Sequence, residues 1–393
     1  MQRIYLDHAA TTYTRHEVAG EIAPFLEKKF GNPGSFHSIG LEAKKAVNSA
    51  REKIAKILGC SPEEIIFTGS GTESCNLAIK GVAFALRKKG KHIITQKTEH
   101  HAVLNACEWL EKEMGFEITY LDVDKFGMIN LKQLENAIRK DTILISIMYA
   151  NNEIGTIQPV KEIARIAKKH NVLFHTDACQ AAGFEEINVE KLGVDLMTIN
   201  GSKIYALKGT GLLFVKKGTK IEPLIHGGAQ EFSLRAGTEN VLGIVALAKA
   251  LELAQGERKK EAKRLIALRD YLTKSLLAKI PKSILQGHPS KRLPNNANIS
   301  FLDVEGEAII LYLDKFGVCV SSGSACTSHS LEPSHVLVAT GIPYEIAHGS
   351  IRFSLGKRTT KKEIDFVIKK LPPIIEKLRA LSPVELSKKD VGR

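Results

Sequence analysis

The stretch "VLFHTDACQAAGFEEINVEKLGVDLMTINGSKIYALKGTGLLFVKK", Val172–Lys217, decides how this chain folds. It holds three apolar runs of strand length: "VLFHTDA" (Val172–Ala178), "LMTIN" (Leu196–Asn200) and "GLLFVKK" (Gly211–Lys217). They are mostly continuous rather than alternating, as strands covered on both faces should be. Only ten residues separate the last two, too few for a helical crossover, so they are predicted to be antiparallel neighbours.

Working outward, four more runs precede them. These are "EIIFTG" (Glu64–Gly69), "HIITQ" (His92–Gln96), "EITYLDV" (Glu117–Val123) and "TILISIMYA" (Thr142–Ala150). Helical patterns separate the first five runs, for example "PVKEIARIAKKH" (Pro159–His170), with Pro near its start and lysines at its end. Strand alternating with helix predicts an α/β layer around a mainly parallel sheet. After residue 240 the texture changes. Two helical patterns, Val241–Gln255 and Glu257–Ala278, flank Gly256, and short strands follow at Ala297–Leu302, Val318–Val320 and Ser350–Leu355. This half reads as a second, smaller α+β domain, in keeping with a chain of 393 residues.

No run of eighteen apolar residues implies a membrane span, and no secretory signal is readable in "MQRIYLDHAATT". The formal net charge is +13, from 56 basic and 43 acidic residues. Lysine-rich stretches such as "ERKKEAKR" (Glu257–Arg264) read first as solvated helix faces, and second as a surface for an acidic partner or tRNA. No nucleic-acid motif supports the latter. Six cysteines, at 60, 75, 107, 179, 319 and 326, form no C-x-x-C pair. No metal site is expected, and reduced thiols in a cytoplasm fit better than disulfides.

In open α/β sheets, ligands bind beyond the carboxyl ends of the strands. Five such ends carry polar residues here. "FTGSGTESCNLAIKG" turns from a strand into a helix through Gly71 and Thr72, a place where free N–H groups can hold a phosphate. "TEHHAVL" sets His100 at a helix start, where its ring could stack on a cofactor or serve as a plain cap. "YANNEIG" contains Asn152. "FHTDACQAAG" sets Asp177 at a buried strand end, costly unless paired, with Gln180 one turn on. A protonated ring nitrogen would be one such partner, and a helix N-cap the plainer role. "INGSKIYALKG" sets Lys203 among apolar neighbours, where a lowered ammonium pKa would let it bond a carbonyl covalently. Anion turn, histidine, carboxylate and lysine in this order describe a pyridoxal-phosphate site.

The chain resembles the IscS/NifS family of cysteine desulfurases, fold-type-I pyridoxal-phosphate transferases, almost end to end. The motifs that carry the likeness include "YLDHAATT", "FGNPGSFHSIG", "GTESCNLAIKG", "TEHHAVL", "NNEIGTIQP", "HTDACQAAG", "RLPNNANISF" and "SSGSACTSHSLEPSHVL". The resemblance implies a large domain over 13–256 with a seven-stranded, mainly parallel sheet between helices. A small domain from 1–12 and 257–393 would carry the cysteine loop. It implies that Lys203 anchors the cofactor, Asp177 pairs with its ring nitrogen, Gln180 with its ring oxygen, and His100 stacks on the ring and moves protons. Asn152 would touch cofactor and substrate. Gly71, Thr72, Asn200 and Ser202 would hold the phosphate, and Thr238 would reach the phosphate of the other subunit in a homodimer. Arg352 would grip the substrate carboxylate. Cys326, in a segment that reads as a loop, would be the nucleophile and persulfide carrier, able also to ligate an iron–sulfur cluster during transfer. The expected activity converts L-cysteine to L-alanine and passes sulfur to an iron–sulfur scaffold protein or to tRNA thiolation. Selenocysteine lyase, a fold-type-I aminotransferase and a non-catalytic dimeric sulfur-relay protein are the alternatives.

The family usually reads Ser-x-His-Lys-x-x-Gly-Pro-Lys-Gly around the lysine. Here Asn200 stands for the Ser, Ser202 for the His, and Ala206 and Leu207 for Gly-Pro; Ala229 and Ser233 stand where glycines are usual. Losing a cationic donor beside a phosphate is expected to weaken cofactor binding by about 1 kcal/mol.

Overall fold

A computed structural model of the chain describes residues 3–323 and 333–382. Twelve strands are found there. They are β1 (Ile4–Tyr5), β2 (Ile65–Thr68), β3 (His92–Gln96), β4 (Glu117–Leu121), β5 (Thr142–Ser146), β6 (Leu173–Asp177), β7 (Leu196–Asn200), β8 (Gly211–Val215), β9 (Ser283–Gln286), β10 (Asn296–Phe301), β11 (Val318–Cys319) and β12 (Ser350–Ser354). The seven expected strands form one sheet, ordered β2-β8-β7-β6-β5-β3-β4. The strand β8 runs antiparallel to both β7 and β2, as the short connection requires, and the other neighbours are parallel.

Every residue of β2, β3, β5 and β8 is buried, which explains their continuous apolar runs. Helices cover the sheet. One side carries Gly71–Leu86 and His101–Met114 over Ile66, Ile93, Leu144 and Leu213. The other carries Ser38–Leu58 and Val160–Lys169 over Ile65, Ile94, Ile145 and Phe174. Since β2, β3, β5, β6 and β7 point the same way, their ends at Thr68, Gln96, Ser146, Asp177 and Asn200 open on one edge of the sheet.

The two helices expected on either side of Gly256 are one, Val241–Lys279. Gly256 is exposed, and a Cβ there would meet nothing within 4 Å, so helical geometry costs only its backbone entropy. The first half of this helix packs through Ile244, Leu247 and Leu251 into the core under the seven-stranded sheet. The second half packs through Leu265, Leu272 and Leu276 into another core, with Ile299, Phe301, Ile351 and Phe353. Above that second core lies a three-stranded antiparallel sheet, β12-β10-β9. The chain's first strand joins this region: β1 pairs in parallel with β11, and Ile4 and Leu6 enter the same core. No helix among the described residues is long and apolar enough to cross a membrane.

Candidate functional site

Beyond the gathered strand ends lies a cleft of about 240 Å³. Gly71, Thr72, His100, Asn152, Asp177, Gln180, Asn200, Lys203 and Arg352 all line it. Strand ends and the segments just after them supply all but Arg352. After β2, Ser70 caps the helix Gly71–Leu86 by accepting from Glu73 N–H at 3.1 Å, which presents the positive end of that helix to the cleft. Gly71 packs so tightly there that a Cβ would stand 2.7 Å from Cys179 Sγ and 3.1 Å from Asn200 Cβ.

After β3, the His100 Nδ1 accepts from Ala102 N–H at 3.0 Å and caps the helix His101–Met114. The histidine is the expected helix cap, and it also lines the cleft. With Nδ1 accepting, the neutral ring carries its proton on Nε2. Beneath it Glu99 is fully buried, accepting from Met148 N–H at 2.6 Å and Gln96 Nε2 at 2.7 Å; burial pushes its carboxyl up to about 8.

After β5, Asn151 accepts from the N–H groups of Glu153 and Ile154, both at 2.9 Å, and so shapes the turn that aims Asn152. The Asn152 Oδ1 is buried with no hydrogen-bond partner among the described residues. At the end of β6, Asp177 is 7 % exposed, and its Oδ1 accepts from Cys179 N–H at 2.9 Å. Gln180 Nε2 donates to Ala9 O at 2.9 Å. After β7, Lys203 Nζ donates to Ala10 O. Arg352, on β12, has a side chain only 2 % exposed. Its Nη1 donates to Asn152 O at 3.1 Å and Gly323 O at 3.0 Å, and its Nη2 to Asp7 Oδ1 at 3.0 Å.

Three expected site residues stand apart. Ser202 does not line the cleft; its hydroxyl and its N–H both donate to Asn200 Oδ1 at 3.2 Å. That contact fixes the Asn200 carbamoyl group and leaves its Nδ2 near Gly71. Thr238 is exposed and lines a second cleft with Thr68, Gly69, Glu231 and Arg235. Cys326 lies outside the described residues.

Comparison with known proteins identifies the architecture. Residues 4–367 match the class-V aminotransferase family. The cysteine desulfurase IscS of Dictyoglomus turgidum is 58 % identical over 382 residues, covering 97 % of each chain. That of Methanosarcina thermophila is 55 % identical, over 97 % of this chain and 94 % of the relative. A solved NifS-like protein superposes with a TM-score of 0.90 at 41 % identity, covering 96 % of this chain and all of that one. The chain belongs to the class-V aminotransferase family, among its cysteine desulfurases. The family is built on the fold-type-I pyridoxal-phosphate scaffold, and its members are enzymes dependent on that cofactor.

Several residues of this desulfurase cleft carry no signal that reading along strand ends could catch. Ala9, Ala10 and Asp7 come from the segment after β1, brought in by the pairing of β1 with β11 rather than by the large sheet. Met148 and Cys179 look like ordinary core residues in sequence, yet both line the cleft. Cys179 is not a ready nucleophile: burial, and then the Asp177 carboxylate, push its thiol well above the ordinary value. Cys75, donating to Asp177 Oδ2 at 3.7 Å, is raised for the same reasons. Among the described residues no group of three or more His, Cys, Asp or Glu side chains could hold a metal ion.

Proposed function

We propose that this chain is a pyridoxal-phosphate-dependent cysteine desulfurase that converts L-cysteine to L-alanine and keeps the sulfur as a persulfide on Cys326. The observation that carries this reading is the convergence of Lys203, Asp177, Gln180, His100 and the start of the helix Gly71–Leu86 on one cleft, with Arg352 at its edge.

The cleft suits the cofactor at both ends. Gly71, Thr72 and Asn200 Nδ2 offer an anion seat at a helix N-terminus. Asp177 is a buried carboxylate, and Cys75 donates to its Oδ2 only weakly, at 3.7 Å. The orphaned Asn152 Oδ1 needs a donor from whatever fills the cleft. Pyridoxal phosphate, when bound, supplies the electron sink for the charge left at the substrate Cα. Asp177 would keep the ring nitrogen protonated by pairing with it. Gln180 would donate to the ring oxygen, and His100 would cover the ring and pass a proton through Nε2. Lys203 Nζ would hold the cofactor and then take the Cα proton. Arg352 orients cysteine by its carboxylate. The Cys326 thiolate would attack the cysteine sulfur; the Cβ–S bond breaks, its electron pair takes a proton at Cβ, Lys203 returns the proton to Cα, and alanine leaves.

The described thiols favour Cys326 by exclusion. Cys60, Cys75, Cys107, Cys179 and Cys319 are all pushed up by burial, and of these Cys179 is the one lining the cleft. A homodimer is supported by the exposed side chains of Leu26, Phe30 and Phe36, at 70, 69 and 92 %, and by Phe232 at 50 %. The Phe232 ring stacks on Arg51 at 5.1 Å, in the segment that leads to Thr238. Thr238 would serve the partner's phosphate from there. An iron–sulfur scaffold or tRNA-thiolation protein would take the sulfur in the cytoplasm, and residues 13–256 would form the cofactor-binding domain, with 1–12 and 257–393 forming the small one. Neither selenocysteine lyase nor a non-catalytic relay gains support. The relay reading drew on the altered lysine loop, and Lys203 still faces the cleft.

The test is to incubate the holoenzyme with L-cysteine and assay alanine and sulfide. Equimolar products are expected, with Cys326→Ala abolishing both while the bound cofactor's absorbance stays. A wild-type protein that binds the cofactor and makes no alanine would sink the proposal.

A further inference from the structure

Arg352 is more heavily engaged than a waiting substrate ligand needs to be. Nη1 gives both of its hydrogens to backbone carbonyls, Asn152 O and Gly323 O, and Nη2 donates to Asp7. Nε is buried with no partner among the described residues. An arriving carboxylate takes two parallel N–H groups of the guanidinium. With Nη1 committed to fixed backbone, the parallel pair left is Nε–H with one Nη2–H, directly beside the Nη2–H that Asp7 already takes. Of the three acceptors, Asp7 alone is a side chain and alone is charged.

Asp7 is built into this place. It bridges Ser354, two residues along the chain from Arg352, so its carboxylate stands beside that strand. Lys203 faces it as well. Burial pushes the Asp7 carboxyl above its ordinary value in spite of Arg352 and Lys203, so the pair is held together against a solvation cost.

We propose that Asp7 is an internal stand-in for the substrate's carboxylate: it holds and partly neutralises Arg352 in the empty site, and an amino acid binds by sharing or displacing it. The proposal rests on Arg352 being the ligand of the substrate carboxylate. Asp7 is then a positioning residue that charges the same penalty to every carboxylate bound there, alanine included. It loosens the product together with the substrate, and it keeps stray anions from settling on a desolvated arginine.

Asp7→Asn keeps the size and an acceptor oxygen and removes the charge. L-Alanine and ethylamine, which differ by the carboxylate, are titrated into the holoenzyme and followed by cofactor absorbance. The expected result is an alanine Kd lowered roughly fivefold or more, the order of a like-charge contact removed. Ethylamine should be unchanged, and the KM for cysteine should fall without a rise in kcat. A merely structural aspartate would instead weaken alanine or leave it alone. Should Asp7→Asn fail to fold, Asp7→Ser is measured in the same way. Arg352→Ala is run beside them and should weaken alanine but not ethylamine. An unchanged or raised alanine Kd in Asp7→Asn, with that Arg352→Ala effect present, overturns the role of Asp7 alone. If Arg352→Ala spares alanine, the reading of Arg352 falls, and the proposal with it.

Discussion

Lys203, Asp177 and His100 are readable because each stands at the end of a buried strand, where a polar side chain is expensive without a task. Glu99 is more deeply buried than any of them and escapes that reading, because it lies beside the more conspicuous pair His100 and His101. Burial raises its pKa from 4.5 to about 8, so the folded protein holds a proton that the unfolded chain releases. That contribution to stability is complete below about pH 4.5 and is lost as pH rises through about 8. His8 and His175 work the other way. Burial lowers both to about 4, so they withdraw stability only as pH falls from about 6.5 toward 4. Between pH 6.5 and 8 the glutamate therefore stands clear of them. Denaturant midpoints should fall over that interval in the wild type and stay nearly level in Glu99→Gln, which keeps the acceptor for Met148 N–H. An equal fall in both would show that Glu99 is not the group that titrates. Ser233 makes a different point: it has a φ of 63° in a run with Glu231 and Phe232 that is left-handed throughout. The family's usual glycine at this position has a backbone reason, one that the sequence shows only as a departure.

At the scale of elements, the seven strands of the large sheet and the antiparallel return of β8 are legible, since buried strands and a short connection leave few alternatives. Strand β5 stops at Ser146 rather than Ala150, yet Ile147 and Tyr149 still donate to His175 O and Asp177 O, so the apolar run continues with pairing on one side. β1 and β9 go unread. One has two residues and a partner more than three hundred residues away, and the other, "SILQ", has four with no clear alternation. Gly256 misleads in the opposite direction, because a glycine between two amphipathic runs looks like punctuation. In the folded protein it is an exposed position within one helix of 39 residues. Gly256→Ala should therefore stabilise the protein by about 0.5–1 kcal/mol, read from denaturant unfolding. A loss of stability would mean that the helix is hinged at this glycine.

For the whole molecule, the exposed Phe30 and Phe36 are poor solvent neighbours and good contact residues. Sedimentation of the wild type should show a dimer that sheds cofactor as dilution splits it. Phe36→Asp, which disturbs no core because the side chain is 92 % exposed, should raise the dimer dissociation constant at least about tenfold. Cofactor loss should then shift to the same higher concentrations. A monomer that retains cofactor normally would contradict the shared site. The pairing of β1 with β11 bears on the order in which the molecule is made. Ile4 finds its partner only at Val318, and the cleft wall at Ala9 and Ala10 follows directly from that strand. On the ribosome the seven-stranded sheet is complete once Val215 has emerged, but the first dozen residues must wait for more than a hundred others before they can dock. Truncated translation products therefore carry an open-sided cleft, and the seat for the cofactor closes only when synthesis is almost finished.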